Sequence, residues 1–248
     1  MIRGLYSATA GMLTMLVRAQ TIANNLANVN TPGFREDTLR LSAFPQQLVS
    51  RLFSGPRLIG TLGTGVLNEA AGIRLTQAGL RATDHPLDLA IQGPGFFSVQ
   101  TAQGVRYTRD GSFRRDGANQ LVTSQGDLVL SAAGTPITLP PGAVTVLPAG
   151  EILVDGQPVA QLGVVEFGAP QLLQKAANNL LEDAGGQAQP APAAGSVVQQ
   201  GYLEGSNVDP ARAMADLLAT QRVYEASARM VQIQDEMVQR AVNEVGKV

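Results

Sequence analysis

"ANNLANVNTPGF", residues 23–34, decides how this chain is read. Up to Leu26 it continues an apolar helical repeat. Thr31-Pro32-Gly33 then stops it, since proline cannot extend a helix and glycine suits the turn beyond. Between repeat and stop lie Asn24, Asn25, Asn28 and Asn30. Asparagine costs roughly half a kcal/mol in a helix interior relative to alanine, so a merely solvated face would be better served by Lys or Glu. Asn30 is expected to cap the helix, because Asn tolerates the left-handed conformation. Asn24, Asn25 and Asn28 lie off the apolar seam and are expected to hydrogen-bond neighbouring helices and set their register, as a buried Asn does in a coiled coil.

Backwards from this stretch, Leu5, Thr9, Met12, Leu16, Ala19, Ala23 and Leu26 recur at spacings of four and three, an a/d heptad seam. A helix over residues 1–30 would be about 40 Å long. At the other end Asp209 and Pro210 form a start signal, cap then first helical position. Beyond it run two stripes, one through Leu217, Tyr224 and Val231 and another through Val223, Met230 and Ile233. One globule normally needs one stripe, so two suggest contacts on more than one side, or a long antiparallel helix pair that buries both within one monomer.

The middle, 66–206, reads as short strands with Asp-Gly turn pairs at 110–111, 116–117 and 155–156. "GGQAQPAPAAG" (185–195) reads as an exposed loop, and residues 31–65 as an extended connector. The expected fold is therefore α+β: a helical domain from 1–30 and 207–248, pairing as a coiled-coil-like element, and a mainly antiparallel β domain.

Composition removes several function classes. With no cysteine there are no disulfides, thiolate metal sites or cysteine nucleophiles, and a net charge of −2 gives no basic surface for nucleic acid. No signal peptide is read in "MIRGLYSATAGMLTMLVRAQ", and no run approaches the ~20 apolar residues of a membrane span. His85, the one histidine, sits in the turn "TDHPLD", too few ligands for a metal and with no Gly-x-Ser-x-Gly partner for a triad. Asp110, Asp116 and Asp155 could serve as paired acids, but each precedes a turn glycine. "GTLGTG" (60–65) lacks the Lys-Ser/Thr of a phosphate loop. "RDGSFRR" (109–115) hints at an anionic ligand, yet strand arginines are more often solvated or paired with acids. No catalytic, cofactor-binding or metal residue is assigned.

"MIRGLYSATAGM", "IANNLANVNTPGF", "PLDLAIQGPGFFSV", "YTRDGSF", "NQLVTSQGDLVL" and "GYLEGSNVDPARAMADLLATQRVYEASARM" together resemble the rod and hook family of bacterial flagellar axial proteins. In length and endings the chain is most similar to the proximal rod members, then to the distal rod and hook members. The resemblance implies a structural protein, not an enzyme, without cofactor. It would be exported uncleaved by the flagellar type III apparatus. It would polymerise with copies of itself and other rod proteins into the periplasmic drive shaft. It also implies that the terminal helices form an inner tube lining the export channel, with the β domain outside. On that basis Leu5, Met12, Leu16, Asn24, Asn25, Leu26, Asn28, Leu217, Tyr224 and Met230 are candidate assembly contacts. Both ends are expected to order only on joining the assembly. The rival from another class is a monomeric β module binding a cell-wall saccharide, with the helices as a stalk.

Overall fold

The structure, a computed structural model, describes residues 2–43, 47–51, 57–62, 66–68, 72–193 and 195–245. Two helices bracket a run of short strands: α1 spans Ile2–Ala27 and α2 spans Pro210–Val245. The chain divides into two compact units. A helical unit takes Met1–Leu26, Asp37–Gly72 and Asp209–Val248; a sheet unit takes Ala27–Glu36 and Ile73–Val208. The class is α+β with mainly antiparallel strands.

α1 stops at Ala27, three residues short of the expected Asn30. The chain turns at once, Thr31 N–H donating to Asn28 O at 3.2 Å. The left-handed residue is Gly33, at φ 65°, and not Asn30. Glycine is required there: a Cβ on Gly33 would run into the Arg109 carbonyl and the Asp110 nitrogen. Gly33→Ala should therefore destabilise the sheet unit by roughly 1–3 kcal/mol, read as a lower denaturation midpoint. α2 begins as its sequence signal requires, with Asp209 Oδ1 accepting from Ala211 N–H at 3.0 Å and Arg212 N–H at 3.2 Å.

In the helical unit, α1 and α2 run antiparallel past one another. Gly4 lies against the Gln234 side chain, and a Cβ on Gly11 would sit 3.8 Å from Ser227 Oγ. The segment expected as an extended connector carries strands, Leu41–Ala43 pairing with Val66–Asn68 and Gln47–Arg51 with Arg57–Leu62. Residues 63–65 of "GTLGTG" lie outside the described residues.

The sheet unit centres on Phe96–Thr101, the strand from "GPGFFSV". It pairs with Gly104–Thr108, Leu128–Val129 and Val164–Phe167 in an antiparallel sheet of nine described strands. Successive side chains alternate faces, and here both faces are covered. Phe97 and Val99 join Leu89, Ile91, Phe113, Leu121, Ile137 and Ile152 in the larger core. Phe96 points into a second cluster with Phe167, Leu173, Leu181 and Ala188. Edge-to-face rings, Phe97 on Phe113 at 5.0 Å and Tyr107 on Phe167 at 4.8 Å, set the packing. Asp155 and Gly156, both at positive φ, make the two-residue turn between Glu151–Val154 and Gln157–Gln161. The segment read as a loop is partly a strand: Pro190–Pro192 pairs with Val164–Phe167. Prolines are tolerated there because the strand is at the sheet's edge.

Three segments of the sheet unit are fastened by buried charge. Glu204 is fully buried, and its carboxylate meets Arg35 Nη2 at 2.8 Å and Arg109 Nη1 at 3.2 Å, both arginines also buried. Glu204 Oε1 accepts from Ala78 N–H at 2.9 Å, and Arg109 Nη2 donates to Gly93 O at 2.6 Å. Burial holds Arg109 down from the ordinary guanidinium range to about 10, with Glu204 opposing the shift and Arg35 adding to it. Asn207 completes the fastening: its Oδ1 accepts Glu36 N–H at 2.7 Å and its Nδ2 donates to Arg74 O at 2.8 Å. One arginine of "RDGSFRR" is thus paired with an acid, while Arg114 is exposed.

Candidate assembly interface

The face that α1 turns towards α2 is displaced by one residue from the expected seam. Gly4, Ala8, Gly11, Met15, Arg18, Ile22 and Asn25 are buried or half-buried at spacings of four and three. Leu5, Thr9, Leu16 and Ala23 of the expected seam are exposed, Leu16 at 45 %, while Met12, Ala19 and Leu26 are half-buried. On α2 the matching stripe is Ala213, Leu217, Thr220, Ser227, Val231 and Gln234, all shielded. The contact mixes small side chains, Gly4, Ala8 and Gly11, with larger ones, Met15, Ile22 and Leu217.

Other large apolar side chains of both helices are exposed. Tyr6, Leu13 and Val17 on α1 are exposed beside Leu5 and Leu16. On α2 Met214, Leu218, Val223, Tyr224, Met230 and Ile233 are exposed, Met230 at 58 %. Pairing Gly4 with Gln234 and Gly11 with Ser227 places Ile2 opposite residue 236. In the last turns of α2, Met237, Val238 and Val242 are exposed as well. Tyr6, Leu13, Leu218 and Ile233 were not among the sequence candidates. The signal that could have found them is the Gly4-Ala8-Gly11 stripe, which marks the close contact and leaves the bulky residues outside.

The asparagines separate by role. Asn25 is buried and turned inward, its Nδ2 donating to Asp37 O and its Oδ1 accepting Asp37 N–H, both at 2.9 Å. It pins the chain that re-enters the helical unit. Asn24 is exposed and Asn28 half-buried, where its Oδ1 accepts from Thr31 Oγ1 at 3.2 Å. Asn25→Ala should orphan the Asp37 N–H and cost about 1–3 kcal/mol. Faster amide exchange at Asp37 in the variant checks this.

The acids once open to a catalytic reading make turn bonds. Asp110 Oδ1 accepts Ser112 N–H and Oγ, Asp116 Oδ1 accepts Ala118 and Gln120 N–H, and Asp155 Oδ1 accepts Ala143 N–H. Exposed His85 lies 3.7 Å from Asp88. Among the described residues no three His, Cys, Asp or Glu are grouped as a metal ion would need. No described helix is long and apolar enough to cross a membrane.

Comparison with known proteins follows the same division. Residues 5–35, α1 through Arg35, match the family described as flagella basal body rod protein. Residues 90–154, the centre of the sheet unit, match the flagellar hook protein FlgE/F/G D1 domain. Residues 199–244, holding Glu204, Asn207 and α2, match the flagellar basal body rod FlgEFG protein C-terminal family. The chain is 32% identical over 271 residues to the flagellar hook-basal body complex protein FlhO of Bacillus subtilis, covering 100% of both. It is 33% identical over 246 residues to the basal-body rod protein FlgF of Caulobacter vibrioides, with 98% of each chain covered. To the basal-body rod protein FlgG of Bacillus subtilis it is 30% identical over 268 residues, covering 98% of this chain and 99% of that one. Likeness that runs from α1 through the sheet unit to α2, at this coverage, means that the chain belongs to the flagellar basal-body rod protein family.

Proposed function

We propose that this structural rod subunit of the flagellar basal body assembles with copies of itself and with other rod proteins into a helical tube. Its helices form the inner layer around the export channel and its sheet unit lies outside. The tube transmits torque across the periplasm, and the subunit reaches it unfolded through the type III export apparatus without losing a signal peptide. A place in the proximal part of the rod is our reading of its length and endings.

The observation that carries the reading is the arrangement of α1 and α2. Both helices leave large apolar side chains uncovered within the chain, Tyr6, Leu13 and Leu16 on α1 and Met214, Leu218 and Met230 on α2. A lone soluble chain gains nothing from that arrangement; a subunit between neighbours buries both faces. Leu5, Leu16, Asn24, Tyr224 and Met230 are proposed as contacts between subunits. Met12, Leu26, Asn28 and Leu217, half-buried, are proposed at the margin between the helix pair and its neighbours. Asn25 acts within the chain. Each terminal helix orders fully only when a neighbour covers it. Basal bodies isolated from a strain lacking the gene should end within the rod; complete rods in that strain would overturn the proposal.

A further inference from the structure

The sheet unit carries a polar cavity of about 490 Å³ whose lining has an unbalanced charge. Asn28, Asn30 and Thr31, from the stretch that ends α1, form one wall, and Asp110, Asp127 and Asn179 are among the residues facing them. Among the described residues no Lys, Arg or aromatic residue lines it. Among the described residues neither Asp110 nor Asp127 forms an ion pair, and no hydrogen bond falls on Asp110 Oδ2. Burial pushes the Asp110 carboxyl up from its ordinary value, the Ser112 hydrogen bonds opposing this. Asn178 and Asn179, at φ 60° and 59°, hold sparsely populated backbone at the rim.

A cavity with two unneutralised carboxylates, many amides and hydroxyls and no cation is complementary to a donor-rich positive group. A bare divalent ion needs oxygens closed to about 2.3–2.6 Å around it, and this space is far too wide. A saccharide site would be expected to offer an aromatic face for stacking, and none is present. A guanidinium on a protein segment fits the volume and the charge. The chain has 18 Lys and Arg together, and only Lys175 and Lys247 are lysines, so a copy of this chain would present arginine. On α2, Arg222 and Arg229 are exposed and make no ion pair among the described residues. Seven positions apart, they share one face about 10 Å apart.

We propose that this cavity is a socket for the Arg222/Arg229 face of α2 of a second copy of this chain. The proposal rests on the assembly reading and adds a polar, charge-selective contact to its apolar ones. It also gives the exposed Asn30 a role that capping did not.

The absence of cysteine makes the test clean. Asn30→Cys in one full-length chain and Ala226→Cys, between the two arginines, in another are mixed and treated with a short bismaleimide. A mixed dimer is expected. Its yield should fall at least about tenfold when the first chain also carries Asp110→Asn and Asp127→Asn, or when the second carries Arg222→Gln and Arg229→Gln. Chains carrying Met230→Cys, which report the apolar helix faces, run in parallel. Met230→Cys dimers without the mixed dimer overturn the socket and leave the assembly reading standing; no dimers of either kind overturn both. A mixed dimer indifferent to the four charge changes also overturns the socket.

Discussion

Glu204→Ala is expected to cost about 3–5 kcal/mol, the loss that follows when one member of a buried ion pair is removed. Glu204 is the one acid between two buried guanidiniums, and it also accepts the Ala78 N–H. Without it, Arg35 and Arg109 face each other with no counter-charge. Whole domains of this size are stable by only about 5–15 kcal/mol, so the loss should be plain in urea unfolding followed by tyrosine fluorescence. Glu204→Gln keeps an acceptor for Ala78 but no charge, and most of the loss should remain. Glu182→Ala, which breaks the partly exposed Arg106 pair at 3.0 Å, should cost no more than about 1 kcal/mol. If Glu204→Ala cost as little as that, the charge cluster would not be what fastens the three segments. The alkaline side gives a sign to check. With Arg109 held down to about 10 in the folded chain, the unfolded chain binds its proton more tightly. This group's contribution to stability is therefore flat at pH 7 and rises with pH above about 10.

Part of this architecture is written locally and part is not. The start of α2 is local, because Asp209 reaches N–H groups two and three residues on and proline fits the first helical position. The Asp155-Gly156 hairpin is local for the same reason: two residues carry the φ values that the turn needs. The register of α1 is not. The stripes through Leu5 and through Gly4 both have heptad spacing, and choosing the larger residues as the inner face is right only for a chain that buries its helices against itself. Here the close contact takes the glycines. Glu204, Arg35 and Arg109 come from distant parts of the chain, and charge alone does not say which acid meets which arginine. The Pro190–Pro192 strand was hidden because proline signals loops, and only its place at a sheet edge allows it.

Met230→Asp is expected to leave the monomer's unfolding midpoint within about 0.5 kcal/mol of the parent, as surface substitutions do, and to abolish swimming. Met230 is 58 % exposed, so little packing within the chain is lost. In a tube built from repeated head-to-tail contacts, the same patch recurs in every subunit. Each copy would forgo roughly 1.5–3 kcal/mol of apolar burial and bring a carboxylate into the contact as well. Leu16→Asp should behave alike from α1. Gly11→Leu makes the opposite case: a Cβ there already touches Ser227 Oγ at 3.8 Å, so the longer side chain must push into α2 and should cost roughly 1–3 kcal/mol within the chain itself. The two classes separate by assay: outward changes give a folded, secreted chain missing from purified basal bodies, and the inward change gives a chain that is itself less stable. Normal motility with Met230→Asp would mean that the outward face of α2 is not what neighbouring subunits cover.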